Sequence, residues 1–154
     1  MNTVSDNLIV RLCDQSDLKD VFVWENDPIS LKMSFSQKEI VWDDHIKWFE
    51  KFLKNKNNIM VIGELFRKKI GLVKYKISRN RAVCSLNISP SFRGKGLSSS
   101  LLIKSEKFIN VKINTLTAEV KKKNIISEKS FIKAGYSLQK FCNELFTFKK
   151  IINK

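Results

Sequence analysis

Histidine is almost missing: His45 is the only one in 154 residues. One imidazole argues against a His-based catalytic triad and against a zinc site. Cysteine is scarce too. Cys13, Cys84 and Cys142 are odd in number, widely spaced and without neighbouring metal-ligand residues. They read as reduced, structural thiols. No apolar run approaches a membrane span, and Met1 to Asn7 lacks the basic-then-apolar pattern of a signal segment. The expectation is a cytoplasmic protein without membrane contact. Low-complexity linkers, repeats and breaks in composition are also lacking, so residues 1–154 read as one domain with one core.

Positive charge is in excess, with a formal net charge of +14. A nucleic-acid partner does not follow from it. The cations are mostly lysines scattered along a chain equally heavy in Asn and Ile, a composition that a genome rich in A and T produces. Only Lys121-Lys122-Lys123 forms a compact run, and no aromatic-and-arginine pattern for base stacking accompanies it. A basic surface does attract a phosphorylated cofactor or a sugar nucleotide.

Periodicity and turn chemistry divide the chain. Leu8 to Leu12 reads as a strand. Ser16 or Asp17 caps a helix running through Leu18, Val21 and Phe22 towards Trp24, and Asn26-Asp27-Pro28 ends it. Ser36 and Glu39 form a capping box for a second helix through Ile40, Val41, Ile46, Trp48, Phe49 and Leu53. Ile59 to Phe66 and Ile70 to Ile77 make a hairpin around Arg67-Lys68-Lys69. Arg79-Asn80-Arg81 turns into a strand from Ala82 to Ile88, which Pro90 terminates. A helix from Leu97 to Ile109 follows, then a strand from Thr115 to Val120. A helix from Asn124 to Ala134 has Gly135 as its C-terminal cap. Ser137 to Phe141 and Leu145 to Ile151 close the chain as a hairpin about Asn143. Hairpins flanking a β-α-β crossover imply a mixed sheet with helices on both faces, an α/β or α+β sandwich.

The chemistry concentrates between the Ala82 to Ile88 strand and the next helix, in Arg93-Gly94-Lys95-Gly96-Leu97-Ser98. Two glycines at a strand-to-helix junction let backbone N–H groups approach a ligand, and a helix start favours an anion. A pyrophosphate needs both.

Pro90 to Gly96 is similar to the Arg/Gln-x-x-Gly-x-Gly/Ala loop of the GCN5-related N-acetyltransferase (GNAT) superfamily. These enzymes move an acetyl group from acetyl-coenzyme A to an amine. A second signature agrees in order and spacing: Ala118-Glu119-Val120, then Asn124-x-x-Ser127, then Phe131-x-Lys133-x-Gly135-Tyr136. The resemblance implies a central mixed, mostly antiparallel sheet of about seven strands with four helices on both faces. It implies acetyl-coenzyme A as cofactor, its pyrophosphate held by backbone N–H groups of Arg93, Gly94, Lys95, Gly96, Leu97 and Ser98. The Arg93 and Lys95 side chains would face solvent or the adenosine phosphates. Strands Ala82 to Ile88 and Thr115 to Val120 would splay, freeing backbone groups near Leu86, Asn87 and Ile88 for the pantetheine and one N–H to polarise the thioester. Asn124, Ser127 and Lys133 would add coenzyme contacts.

Glu119 is the expected general base, its pKa raised by desolvation at a strand end. No residue is set up as a covalent nucleophile. Cys84 lies in a strand without a basic partner, so a ternary complex with direct attack is expected.

Two departures concern the coenzyme. Ser98 stands where the family usually has Gly or Ala, and its hydroxyl could add a phosphate contact. Phe131 stands where many members carry the tyrosine that protonates the departing thiolate. The thiolate would then leave unprotonated, and Tyr136 reads as core.

The N-terminal third narrows the resemblance. Arg11, Asp14, Asp17-Leu18, Trp24-Glu25-Asn26-Asp27-Pro28 and His45-Ile46-Lys47-Trp48-Phe49 are similar to the branch that acetylates nucleotide-linked amino sugars. That branch includes the UDP-4-amino-sugar N-acetyltransferases of pseudaminic acid biosynthesis. Glu25 stands where this branch often has arginine. Trp24, Asn26, Phe35, His45 and Trp48 would form the acceptor pocket for a UDP- or dTDP-linked amino sugar, and a homodimer is compatible with the pattern. Protein N-termini and polyamines are alternative acceptors. The net positive charge argues against a polyamine, because the N-terminal third offers only Glu25, Asp27, Glu39, Asp43 and Asp44 to bind one. A non-catalytic acetyl-coenzyme A-binding module is the third reading, supported by Phe131.

Overall fold

The computed structural model describes residues 3–152. Seven strands form one sheet: β1 (Leu8–Leu12), β2 (Asn58–Leu65), β3 (Lys68–Ser78), β4 (Arg81–Ile88), β5 (Thr115–Lys121), β6 (Ser137–Cys142) and β7 (Leu145–Ile151). Their spatial order is β1-β2-β3-β4-β5-β7-β6. Every neighbouring pair is antiparallel except β4 and β5, which run parallel. Three connections are two-residue turns that place non-glycine residues at positive φ: Phe66-Arg67, the Arg79 turn and Asn143-Glu144. Such left-handed turns match the twist of the strands they join.

Five α-helices cover the sheet among the described residues: α1 (Leu18–Glu25), α2 (Pro28–Met33), α3 (Trp42–Lys54), α4 (Ser98–Ser105) and α5 (Ile125–Lys133). On one face, Val21 and Trp24 of α1 and Phe49 and Phe52 of α3 pack on Met60, Ile62 and Leu72. On the other, Leu101, Leu102 and Phe131 pack on Val61, Val73, Ala82, Leu116 and Ala118. Each such side chain contributes about 1.5–3 kcal/mol by leaving water. Along β5 the alternation is direct: Leu116, Ala118 and Val120 are buried towards α4 and α5, while Glu119 between them is exposed.

Four local expectations are corrected. Asn26-Asp27-Pro28 ends one helix and also begins another. Asp27 accepts from the Ser30 N–H at 3.1 Å and Pro28 occupies the first turn of α2, so the helices number five, not four. Ser36 and Glu39 cap nothing, because α3 starts only at Trp42. The Asn26 amide donates to the Ile40 carbonyl at 2.8 Å and accepts from the Ile40 N–H at 2.7 Å, which takes those groups away from a helix. Neither Ser16 nor Asp17 caps α1 through its side chain. Asp14 accepts from the Ser16 N–H at 2.9 Å at the head of a short 3-10 turn, and Asp17 is held by Arg11. Finally, α4 stops at Ser105 and passes into a 3-10 turn at Glu106–Phe108, short of Ile109.

Candidate functional site

Parallel pairing between β4 and β5 covers only Arg81 with Thr115, Ala82 with Leu116 and Val83 with Thr117. Beyond that, β4 continues to Ile88 and β5 to Lys121 without pairing to each other. The sheet is therefore open between them. Which backbone groups face the opening follows from alternation. The Asn80 carbonyl accepts from the Thr115 N–H, on the β5 side, and the Ser89 N–H donates to Ile70 on β3. Cys84, Leu86 and Ile88 thus turn their backbone groups into the opening, while Asn87 turns its own towards β3.

The glycine loop closes the wide end. A 3-10 turn at Pro90–Phe92 ends with Arg93 N–H bonded to the Pro90 carbonyl, and α4 makes its first internal bond from Leu101 N–H to the Leu97 carbonyl. Gly94 and Gly96 between them sit at φ 75° and 71°. A Cβ on either would meet nothing within 4 Å. They are glycines because of backbone conformation, and the space beside them is open. Among the described residues, the N–H groups from Gly94 to Ser98 donate to no protein acceptor. They lie where the loop enters α4, and a helix start leaves its first N–H groups without intrahelical partners and favours an anion.

Arg93 does something other than face solvent or phosphates. Its guanidinium donates to Asp27 Oδ2 at 2.7 Å, to Ser30 Oγ at 3.0 Å and to the Ile88 carbonyl at 2.9 Å. Asn87 completes this clamp, donating to the Trp24 carbonyl at 3.1 Å and accepting from Ser30 Oγ at 3.1 Å. The loop is thereby locked to α2, a link 66 residues long in sequence. The Asp27 carboxyl is pulled below the ordinary carboxylate range: burial opposes this, and the Arg93 hydrogen bond and the Ser30 N–H outweigh it. Lys95 is exposed, its Nζ 5.3 Å from the Phe92 ring centre. The Ser98 hydroxyl is 2.6 Å from that of Ser130, which itself donates to the Ile126 carbonyl. Ser98 therefore ties α4 to α5, and the expected phosphate contact of its hydroxyl gives way to that bond.

Asn124 caps α5, accepting from the Ser127 N–H at 3.3 Å, and Lys133 is exposed on the last turn. Gly135 at φ 99° lets the Tyr136 N–H return to the Phe131 carbonyl at 3.0 Å. Phe131 is buried, 4.9 Å between ring centres from Tyr136 and 6.4 Å from Phe148. Tyr136 is also buried, against Cys84 and Tyr75, in keeping with its reading as core. Burial pushes the Cys84 thiol up to about 12, which leaves it no nucleophilic role. Glu119 stands on the open face of β5 opposite Thr147, so the burial expected around it is not found.

The expected acceptor pocket does not assemble. His45 is 1% exposed, its Nε2–H donating to the Leu18 carbonyl at 2.8 Å, ringed by Phe22, Trp42, Trp48 and Phe49. Burial lowers its pKa, so it stays neutral. Trp24 is core at 4% exposure, Trp48 packs on that core, and Asn26 is spent on Ile40. Phe35 lines a cavity apart from them. That cavity, of about 420 Å³, is lined by Phe35, Lys121, Lys123, Asn143, Glu144 and Leu145. Sequence reasoning had Lys121 to Lys123 as a basic run and Asn143 as a turn. Nothing local showed that the chain brings them together with Phe35. Two of the five N-terminal carboxylates are engaged as well, Glu25 with Lys74 at 2.9 Å and Asp27 with Arg93, while Glu39, Asp43 and Asp44 are exposed.

No protein-family model matches the sequence, and no curated protein sequence matches it. Solved structures do match in shape. A spermidine N-acetyltransferase from Vibrio cholerae in complex with CoA and spermine aligns with a TM-score of 0.84 at 17% identity, over 95% of this chain and 96% of that one. AAC(6')-Ib in complex with ribostamycin and coenzyme A aligns at 0.81 and 15% identity, over 95% and 94%. An acetyltransferase of the GNAT family from Streptococcus pneumoniae aligns at 0.72 and 18% identity, over 94% and 99%. The chain has the GNAT fold, with its seven-stranded mixed sheet and helices on both faces.

Proposed function

We propose that this protein is an acetyl-coenzyme A-dependent N-acetyltransferase of small-molecule amines. The observation that carries the proposal is the opening between β4 and β5, bounded by a glycine loop whose N–H groups have no protein acceptor. A coenzyme fits these residues: Gly94 to Ser98 for the pyrophosphate, and the inward backbone of Leu86 with the Ile88 N–H for the pantetheine amides, the Ile88 carbonyl being held by Arg93. The fold neighbours whose names include coenzyme A support this, since they share the architecture over nearly the whole chain.

Acetyl-coenzyme A, when bound, supplies the acetyl group as an activated thioester. The chain's part is to hold, orient and move a proton. An N–H of Leu86 or Ile88 polarises the carbonyl as an oxyanion donor does. Glu119 takes the proton of the attacking amine, directly or through water. Phe131 has no proton to give, so a departing thiolate would take its proton from water. Cys84 is too basic for a covalent intermediate, in agreement with direct attack in a ternary complex.

Polyamines and aminoglycosides are the acceptor classes suggested by the neighbours bound to spermine and ribostamycin. A nucleotide-linked amino sugar keeps the support of Phe35 and the lysines beside it, without Trp24, Asn26, His45 or Trp48. Free thiol release from acetyl-coenzyme A over a panel of spermidine, an aminoglycoside and UDP-4-amino-4,6-dideoxy sugars tests the reaction. Coenzyme binding without thiol release on every amine would make the protein a binding module instead.

A further inference from the structure

The cavity beyond the open end of β5 contains charge that acetyl transfer itself does not require. Lys121 is half-buried there. Its Nζ donates to the Ser34 carbonyl at 2.6 Å and lies 5.9 Å from the Phe35 ring centre. Neither Lys121 nor Lys123 has a carboxylate within ion-pair distance among the described residues, whereas Lys74 and Lys150 each hold one and Lys69 holds two. A half-buried ammonium satisfied by a carbonyl and a ring face is short of counter-charge. The wall carries two cations, Lys121 and Lys123, against one carboxylate, Glu144.

The cavity is also placed for it. Glu119 and Lys121 are two apart on β5, so they share a face, with about 7 Å between them along the strand. An acceptor with its amine at Glu119 would set a group one sugar ring away beside Lys121. We infer that Lys121 and Lys123 form an anion subsite, and that the acceptor is an amine carrying a phosphate or carboxylate about one sugar ring from its nitrogen. The inference rests on the transferase reading and narrows it away from polycations.

Thiol release is measured with glucosamine, glucosamine 6-phosphate, 2-amino-2-deoxyglucuronate and spermidine. The first three share one amine and differ in a single group. The phosphate or the carboxylate sugar should exceed glucosamine in kcat/KM by about tenfold, the order that a charge-assisted hydrogen bond supplies. The two anionic arms say which anion is read. In the Lys121→Met, Lys123→Met double variant that ratio should fall to about one, with coenzyme A affinity by calorimetry as the folding control. A preference for spermidine or neutral glucosamine overturns the inference, as does a preference that survives in the variant. If no amine is acetylated, the transferase reading fails separately. Calorimetric binding of glucosamine 6-phosphate to the coenzyme-loaded protein then decides the subsite: binding weakened in the variant supports it, and equal or absent binding overturns it.

Discussion

Replacing Gly96 with alanine separates the shape of the loop from its ligand. Gly96 sits at φ 71°, and a Cβ there meets no atom within 4 Å. The folded protein therefore loses only the cost of a left-handed backbone, about 1–2 kcal/mol. Gly135→Ala is the control, a positive-φ glycine away from the loop. Its φ is 99°, and a Cβ would meet Lys150 Cε at 3.2 Å, a side chain whose ammonium holds Glu106 and the Ala134 carbonyl. Gly96→Ala should lower the urea midpoint by about 0.5–1 M, taking a slope of about 2 kcal/mol/M, and Gly135→Ala by at least as much. Coenzyme binding should separate them. A methyl group beside the unpaired N–H groups displaces a phosphate oxygen from at least one charge-assisted hydrogen bond. Such a bond contributes about 1.5–3 kcal/mol, so Gly96→Ala should weaken coenzyme A binding by about 10- to 150-fold. Gly135→Ala should bind within about twofold of the parent. Calorimetry at fixed ionic strength reads both, since salt screens phosphate contacts. A Gly96→Ala protein that binds coenzyme A as tightly as the parent would refute the loop as a pyrophosphate cradle.

Glu119→Gln should lower turnover by about ten- to a thousandfold; unchanged turnover takes Glu119 out of the mechanism. Asp17→Asn should cost about 3 kcal/mol by urea denaturation, because it leaves Arg11 and Lys69 short of a fully buried carboxylate; a loss below about 0.5 kcal/mol contradicts that. Burial alone would raise the Asp17 pKa, and Arg11, the Asp14 N–H and Lys69 bring it well below the ordinary range, while burial lowers that of His45. Folded-state values below the unfolded ones mean stability present at neutral pH and lost on acidification. The urea midpoint should therefore fall first below about pH 6.5, from His45, and again below about pH 4, from Asp17; a midpoint flat from pH 7 to pH 3 rejects both assignments. Asn26→Ala should cost about 1–3 kcal/mol through the two Ile40 hydrogen bonds, read as a lower melting temperature; an unchanged one shows that Ile40 is held by something else.

Much of the frame was legible because its causes are local. The strand Leu8–Leu12 follows from apolar alternation, the turn at Asn143 from a residue that tolerates positive φ, and the end of α5 from Gly135. The glycine loop was legible for the same reason, since Gly94 and Gly96 mark a conformation that other residues resist. The start of α3 was not legible. Ser36 and Glu39 form a good local cap, and it fails because Asn26 takes the Ile40 backbone from outside the helix. His45 and Trp48 looked like a polar and aromatic face, and α3 turns them into the core against α1.

The sequence by itself determined the order of elements, the mixed sheet and the place of the anion loop, because periodicity, capping and glycine conformation act over a few residues. Tertiary structure alone decided what each polar side chain does. Arg93 finds Asp27 across 66 residues, and Lys121 meets Phe35 in a cavity closed by the Asn143 turn. A guanidinium or an ammonium is satisfied by whichever partner folding brings within hydrogen-bond reach, and no local pattern encodes that partner.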